Sequence, residues 1–79
     1  MNRQEIEIRV KRVILDQLDV EAENVKPESV LIDDLYCDSL DIVELVIDLE
    51  DEFDFNIPDE DIDNFKTVKD VMDYVESNA

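Results

Sequence analysis

The chain has 79 residues, of which 24 are acidic and 7 basic, giving a net charge of −17. Such a surface repels nucleic-acid phosphates and anionic lipid and attracts basic protein surfaces, which argues against nucleic acid as a partner. The chain has no Gly, two Pro, one Cys and no His, so we predict an all-α fold without a disulfide or a metal site. No apolar run is long enough to insert into a membrane, and we expect one domain over residues 1–79 that is cytoplasmic and monomeric.

The first predicted helix covers residues 3–18, where apolar residues recur at spacings of three and four. Its core-facing residues are Ile6, Val10, Val13, Ile14 and Leu18. Residues 19–37 form a long connection that contains Pro27, and long connections between helices are often functional. We expect this connection to be anchored on the core by Val20, Val25, Val30, Leu31, Ile32 and Leu35.

A second helix is predicted from about Asp38, which suits the N-cap, to about Phe53. A short helix follows in DEDIDNF (59–65), directly after Pro58. Thr67 and Asp70 have the spacing of a capping box that opens the last helix. The sequence therefore predicts a small antiparallel bundle of three main helices and one short helix, with the long loop between the first two. The inward-facing residues of the last helix are Val68, Val71, Met72 and Val75.

The second helix carries two separate groups of apolar residues when it is projected at about 100° per residue. Carboxylates flank the smaller group on both sides, and an apolar centre with a charged rim is typical of a binding surface. The alternative is that this smaller group packs against the long connection. The larger, core-facing group is Ile42, Leu45, Val46, Leu49 and Phe53, and the smaller group, here named the outer strip, is Leu40, Val43 and Ile47.

Ser39 lies at the start of the second helix, between two acidic residues. A catalytic serine needs a base, yet the chain has no His, and no Lys lies between Lys26 and Lys66. We therefore predict that the protein is not an enzyme. Two hypotheses remain for Ser39: it only opens a helix, or it carries an attached phosphate that the helix N-terminus stabilises.

The stretch DDLYCDSLDIVELVIDLEDEFDFNIPDEDI (33–62), with DQLDV before it and TVKDVMDYV after it, resembles the acyl carrier proteins. The resemblance covers nearly the whole chain. It implies that a phosphopantetheinyl transferase attaches 4′-phosphopantetheine from coenzyme A to Ser39. The thiol of that arm would then carry growing acyl chains as thioesters for fatty acid synthesis. A carrier dedicated to a polyketide or another specialised lipid pathway is the alternative within the same class.

The resemblance also implies two sets of contact residues. The first set would contact basic docking patches on the transferase and on acyl transferases, ketoacyl synthases, reductases and dehydratases. It comprises Asp38, Leu40, Asp41, Val43, Glu44, Ile47, Glu50 and Asp51. The second set would line a pocket for the acyl chain and comprises Leu31, Ile42, Val46, Leu49, Ile57, Ile62, Phe65 and Val71.

The chain departs from the family pattern at a few positions. Tyr36 and Cys37 stand where the family usually has Gly and a small residue. We expect Tyr36 to shield the base of the arm or to contact particular partners, and Cys37, whose thiol lies two residues from Ser39, to be only a small filler. Ile62 and Val71 stand where alanine is common in the family, which bears on the depth of the acyl pocket.

A hypothesis of another class is a small acidic calcium-binding protein. Asp59–Asp70 places acidic residues at the first, third and fifth positions of a calcium loop. Asn64 replaces the glycine, Lys66 replaces an apolar residue, and Asp70 replaces the final bidentate Glu. Three such defects make the match poor. Independently, the crowding of 15 carboxylates between Pro27 and Phe65 predicts that carboxylate pKa values are raised, on average, in the folded state.

Overall fold

The chain folds into four α-helices joined by irregular segments. The computed structural model describes residues 2–78, and within that range it contains no strand. The prediction of three main helices and a short one is confirmed, although the first ends one residue early and the third ends at Ile62 rather than Phe65. The helices are α1 (Arg3–Gln17), α2 (Ser39–Phe53), α3 (Asp59–Ile62) and α4 (Val68–Asn78), with a 3₁₀ turn at Ala22–Asn24.

Side-chain contacts show that α1 runs antiparallel to both long neighbours. Arg9, in the middle of α1, donates from Nε to Glu52 near the end of α2 at 2.6 Å. Gln17, the last residue of α1, donates to Glu44 near the start of α2. Arg3, in the first turn of α1, pairs with Asp73 in the middle of α4 at 2.9 Å and with Glu76 near its end at 3.5 Å. The antiparallel arrangement predicted from the sequence is therefore confirmed.

The three long helices enclose one hydrophobic core. All the residues predicted to face inward from α1 and α4 are buried, and Leu18 is buried just beyond the end of α1. In α2, Leu45, Val46, Leu49 and Phe53 are buried, while Ile42 is half-buried at the edge of the core. The helical spacing of the apolar residues therefore identified the core correctly.

The long connection between α1 and α2 is tied by its backbone to the segment that precedes α4. The amide of Leu31 donates to the carbonyl of Lys66 at 2.9 Å, and the amide of Val68 donates to the carbonyl of Ser29 at 3.0 Å. The buried Ser29 hydroxyl donates to the Asn24 carbonyl at 2.6 Å and thereby closes the turn around it. These bonds hold the connection beside the start of α4.

The expectation that Ile32 anchors the connection is wrong. The chain turns tightly at residues 31–35, where the Leu35 amide donates to the Val30 carbonyl at 3.2 Å. This turn directs Leu31 and Leu35 into the core and leaves Ile32 60% exposed. Of the other expected anchors, Val25 is buried, and Val20 and Val30 are half-buried.

Two basic side chains of α1 hold the end of α2. Arg9 and Arg12 both donate to the Glu52 carboxylate, at 2.6 and 2.9 Å, and the Arg9 guanidinium lies 4.8 Å from the ring centre of Phe53. The hydrogen bond from Arg9, aided by Arg12, lowers the pKa of Glu52 below its ordinary value. The hydrogen bond from Lys69 likewise lowers the pKa of Asp73. Within residues 27–65, Glu52 is thus an exception to the average rise predicted from charge crowding, because it is paired with cations.

We expect Glu52→Gln to lower the free energy of unfolding at pH 7 by about 1 to 2 kcal/mol, since charge-assisted hydrogen bonds are lost from a partly buried cluster. A carboxylate with a lowered folded pKa stabilises the fold above its ordinary pKa of 4.5 and stops doing so as pH falls through the folded value. The difference between wild type and variant should therefore shrink below pH 4.5 in chemical unfolding measured across pH. Glu21→Gln, at an exposed position whose side chain caps no helix, is the matched control and should change little.

Candidate functional site

The start of α2 is fixed by a reciprocal pair of aspartates. The Asp38 carboxylate accepts from the Asp41 amide at 2.8 Å, and the Asp41 carboxylate accepts from the Asp38 amide at 3.2 Å. This capping box has the predicted N-cap, and Asp38 itself has extended backbone geometry. Ser39 is thereby held as the first residue of the helix.

Ser39 presents an unengaged hydroxyl to solvent. The residue is exposed, and among residues 2–78 its hydroxyl makes no hydrogen bond. Within the same range, the amides of Ser39 and Leu40 also lack hydrogen-bond acceptors, as expected for the first turn of a helix. A phosphate esterified to this hydroxyl would therefore lie beside free N–H groups at the positive end of the α2 dipole. The residues at this position fit a phosphopantetheine arm.

A cleft opens next to Ser39, between the long connection, α2 and the segment after α3. Its volume is about 550 Å³. Ile42, Ile62 and Phe65 supply apolar lining, while Asp33, Asp63 and Lys66 supply its charged groups. A cleft with apolar walls beside the Ser39 hydroxyl would suit the hydrocarbon and amide portions of a pantetheine arm.

The outer strip of α2 is exposed rather than packed against the connection. Leu40 is 63% exposed, Ile47 50% and Val43 47%. The alternative in which the strip packs against the long connection is therefore wrong for Leu40 and Ile47, which are half or more exposed and do not border the cleft, whereas Val43 borders it. Three large apolar side chains left in water along one helix form a surface that a partner can cover.

The carboxylates predicted to contact partners around the strip are not neutralised by basic side chains in the described part of the chain. Within residues 2–78, none of the five acids predicted to contact partners forms an ion pair. Some have other partners: Glu44 accepts from Gln17, and Glu50 accepts from the Ile57 amide at 2.8 Å. Asp51 is exposed. Glu50 therefore also holds the turn after α2, a role that its sequence position did not indicate.

The residues predicted to line an acyl pocket divide into two groups. Ile42, Ile62 and Phe65 border the cleft beside Ser39. The others do not border it and are buried in the core, so an acyl chain would reach them only if the helices separated. These buried residues are Leu31, Val46, Leu49, Ile57 and Val71.

Cys37 and Tyr36 have opposite environments. Cys37 is buried, and its amide donates to the Leu31 carbonyl at 3.0 Å. Burial, followed by the charges of Asp41 and Asp38, raises the pKa of the Cys37 thiol, which disfavours the reactive thiolate. Tyr36 is 81% exposed and has a φ of +59°, in the left-handed region. Its ring therefore gains little from packing while its backbone is strained.

We expect Tyr36→Gly to leave the free energy of unfolding unchanged or to raise it by up to about 1 kcal/mol, because glycine has no Cβ penalty at positive φ. Tyr36→Val should lower it by about 1 kcal/mol or more, because a branched Cβ worsens the same strain. Chemical unfolding of the two variants measures both effects. Equal destabilisation by Gly and Val would show that the tyrosine ring, rather than the backbone geometry, controls stability here.

The proposed calcium loop has no metal-binding arrangement. Asp59–Ile62 is itself helical, Asp61 accepts from the Tyr74 hydroxyl at 2.8 Å, and Asp70 caps α4 by accepting from the Thr67 amide at 3.0 Å. Across residues 2–78 there is no group of three or more His, Cys, Asp or Glu side chains that could hold a metal ion. Nothing in the structure favours the calcium-binding hypothesis.

Comparison with known proteins identifies the family of the chain. A family model described as the phosphopantetheine attachment site matches residues 9–75. The acyl carrier protein of Helicobacter hepaticus is 56% identical over 69 residues, which cover 87% of this chain and 91% of that protein. The chain belongs to the acyl carrier protein family. The covalent cofactor of this family is 4′-phosphopantetheine.

The fold agrees with that of a solved acyl carrier protein. The structure of the thermally stable acyl carrier protein from Enterococcus faecalis matches with a TM-score of 0.82 at 39% identity, over 100% of both chains. Within residues 2–78, no helix is both long enough and apolar enough to cross a membrane. The all-α bundle predicted from the sequence is thus an acyl carrier fold.

Sequence reasoning overlooked Lys66 as a residue of this site. It treated Lys66 only as a defect in the calcium loop, and it assigned the nearby Ile32 to the core. Both residues border the cleft beside Ser39. The available signal was the charge distribution, since Lys66 is the first basic residue after Lys26. Helical periodicity does not predict that Lys66 lies near Ser39. The two residues share a cleft because the long connection pairs with the segment before α4.

Proposed function

We propose that Ser39 is the residue that accepts 4′-phosphopantetheine, and that the protein carries acyl chains for fatty acid synthesis on that arm. The observation that carries this proposal is the unengaged, exposed Ser39 hydroxyl on a helix start fixed by the Asp38–Asp41 capping box. The arm supplies a flexible thiol that holds acyl groups as thioesters. The chain's own residues orient the arm and present it.

We infer that the protein supplies no catalytic base for its own modification. The nearest carboxylates, Asp38 and Asp41, are engaged in capping the helix, and the chain has no His. The proton of the Ser39 hydroxyl must therefore be removed by a group on the transferase. This role as a substrate, rather than a catalyst, is consistent with an acyl carrier.

We further propose that the outer strip and its carboxylates form the docking surface for partner enzymes. An apolar centre would be buried in the complex, while the acidic rim attracts basic patches and accelerates association. The proposed contacts are Asp38, Leu40, Asp41, Val43, Glu44, Ile47, Glu50 and Asp51. Basic patches on the transferase and on the enzymes of chain elongation are the expected counterparts.

For the cargo, we propose that the acyl chain enters through the cleft that Ile42, Ile62 and Phe65 line. A chain of more than a few carbons would have to part these residues from the buried residues behind them, because Val46 and Leu49 are buried and do not line the cleft. The well-packed core favours short chains or a chain that separates the helices as it enters.

The carrier function is tested by loading in two steps. Incubation of the apo-protein with coenzyme A and a phosphopantetheinyl transferase should add one phosphopantetheine, measured by intact mass. An acyl transferase with acyl-coenzyme A should then add one acyl group that neutral hydroxylamine releases, as expected for a thioester. Omission of coenzyme A in the first step is the control. A loaded protein whose acyl group resists hydroxylamine would contradict thioester carriage.

A further inference from the structure

The cleft beside Ser39 contains carboxylates and one cation. Among its lining residues in the described part of the chain, Asp33 and Asp63 are acidic and Lys66 is the single basic residue. A phosphodiester carries one negative charge, and the acidic rim would repel it from the cleft. Lys66 is the one lining side chain that can attract it.

The backbone of Lys66 is fixed while its side chain is available. Its amide donates to the Asp70 carboxylate at 3.1 Å, and its carbonyl accepts from the Leu31 amide at 2.9 Å. The residue is exposed, and its ammonium group forms no ion pair or hydrogen bond within residues 2–78. Lys69 differs, because its ammonium pairs with Asp73 at 2.8 Å. Lys66 thus lines the cleft with a fixed backbone and with an ammonium group that has no partner in the described part of the chain.

We propose that the Lys66 ammonium pairs with the phosphodiester of the arm attached to Ser39 and holds the base of the arm along the cleft. This inference rests on the proposed attachment at Ser39. Lys66 is a positioning residue, since it acts on the linkage and not on the thioester. The free amides at the α2 N-terminus and the Lys66 ammonium would be two independent kinds of donor to this phosphate.

The ion pair is exposed, so its effect is moderate and depends on salt. An exposed ion pair typically raises the ratio of paired to unpaired conformations by about 1.4- to 5-fold. Salt screens such a pair, and its contribution should decline as ionic strength rises above about 0.1 M. The arm should therefore lie along the cleft at low salt and move away from it at high salt.

The test is phosphorus NMR of the holo-protein, with Lys66→Gln, Lys66→Arg and Lys26→Gln as variants. Lys26 is an exposed lysine of the long connection that does not border the cleft, so its loss makes the same change in net charge. Intact mass first establishes that each protein carries one arm. The wild-type phosphorus shift should change with salt, and in Lys66→Gln that change should fall about two-fold or more, while Lys66→Arg and Lys26→Gln keep it.

Each outcome has a defined meaning. An unchanged phosphorus shift and salt response in loaded Lys66→Gln would overturn the role of Lys66 while leaving attachment intact. An equal loss in Lys26→Gln would overturn it too, because net charge alone would then explain the effect. If the wild type accepts no arm, the attachment at Ser39 fails, and this inference fails with it. A wild-type salt dependence of the phosphorus shift in Lys66→Arg would show that the positive charge at this position holds the phosphodiester.

Discussion

Ser39→Ala should accept no phosphopantetheine and should remain folded. The proposed attachment needs the Ser39 oxygen, so loss of loading should be complete rather than partial, as measured by intact mass after incubation with coenzyme A and transferase. Folding should be preserved because the residue is exposed and its hydroxyl makes no hydrogen bond in the described part of the chain. Alanine is also the best helix former, so the free energy of unfolding should stay within about 0.5 kcal/mol of wild type.

Ser77→Ala is the matched control for that variant. Ser77 is exposed near the end of α4, and its removal should leave loading at the wild-type rate. Ser29→Ala is unsuitable, because the buried Ser29 hydroxyl holds the turn of the long connection. Loading that persists in Ser39→Ala would refute the assignment of the attachment residue.

Reversal of Glu44 and Asp51 to Lys should reduce the kcat/KM of the transferase for the apo-protein by about ten-fold or more. Both carboxylates flank the outer strip, and neither has an ion-pair partner within residues 2–78. They are therefore available to attract a basic patch, and clustered charge of this kind changes association rates by about 10 to 1,000-fold. The wild-type rate should also fall as salt is raised, since the Debye length is about 10 Å at 0.1 M.

The control variant reverses Glu5 and Glu7 on α1, which makes the same change in net charge away from the outer strip. Its kcat/KM should fall much less, and melting followed by circular dichroism verifies that both double variants are folded. If the two variants lose activity equally, the acidic face of α2 is only a solvated surface and the proposed docking surface is wrong. A rate that ignores salt would lead to the same conclusion.

Local signals in the sequence were sufficient to predict the helices and the caps that open α2 and α4. The Asp38–Asp41 and Thr67–Asp70 pairs were identified from spacing, and both form the expected reciprocal bonds. Such caps are formed within four residues, so they do not depend on the rest of the fold. The division of α2 into a buried face and an exposed strip followed from helical periodicity for the same reason.

The features that sequence reasoning missed depend on contacts between distant segments. Ile32 was expected in the core, but a tight turn at residues 31–35 directs it outward. Lys66 reaches the cleft because the long connection pairs with the segment before α4, as in the bond from Leu31 to Lys66. Glu52 has a lowered pKa because α1 places Arg9 beside it, which makes it an exception to the average rise that charge crowding predicted. Hydrophobic spacing contains no information about such pairings.

The most direct test of the central claim is to locate the arm on the loaded protein by peptide mass mapping. Cleavage before aspartate separates the candidate nucleophiles, because Asp33 and Asp34 lie between Ser29 and Ser39, and Asp38 lies between Cys37 and Ser39. We predict that the added mass resides on the fragment that begins at Asp38 and ends before Asp41. An arm on a fragment that contains Ser29, Ser77, Tyr36 or Cys37 instead would contradict the account.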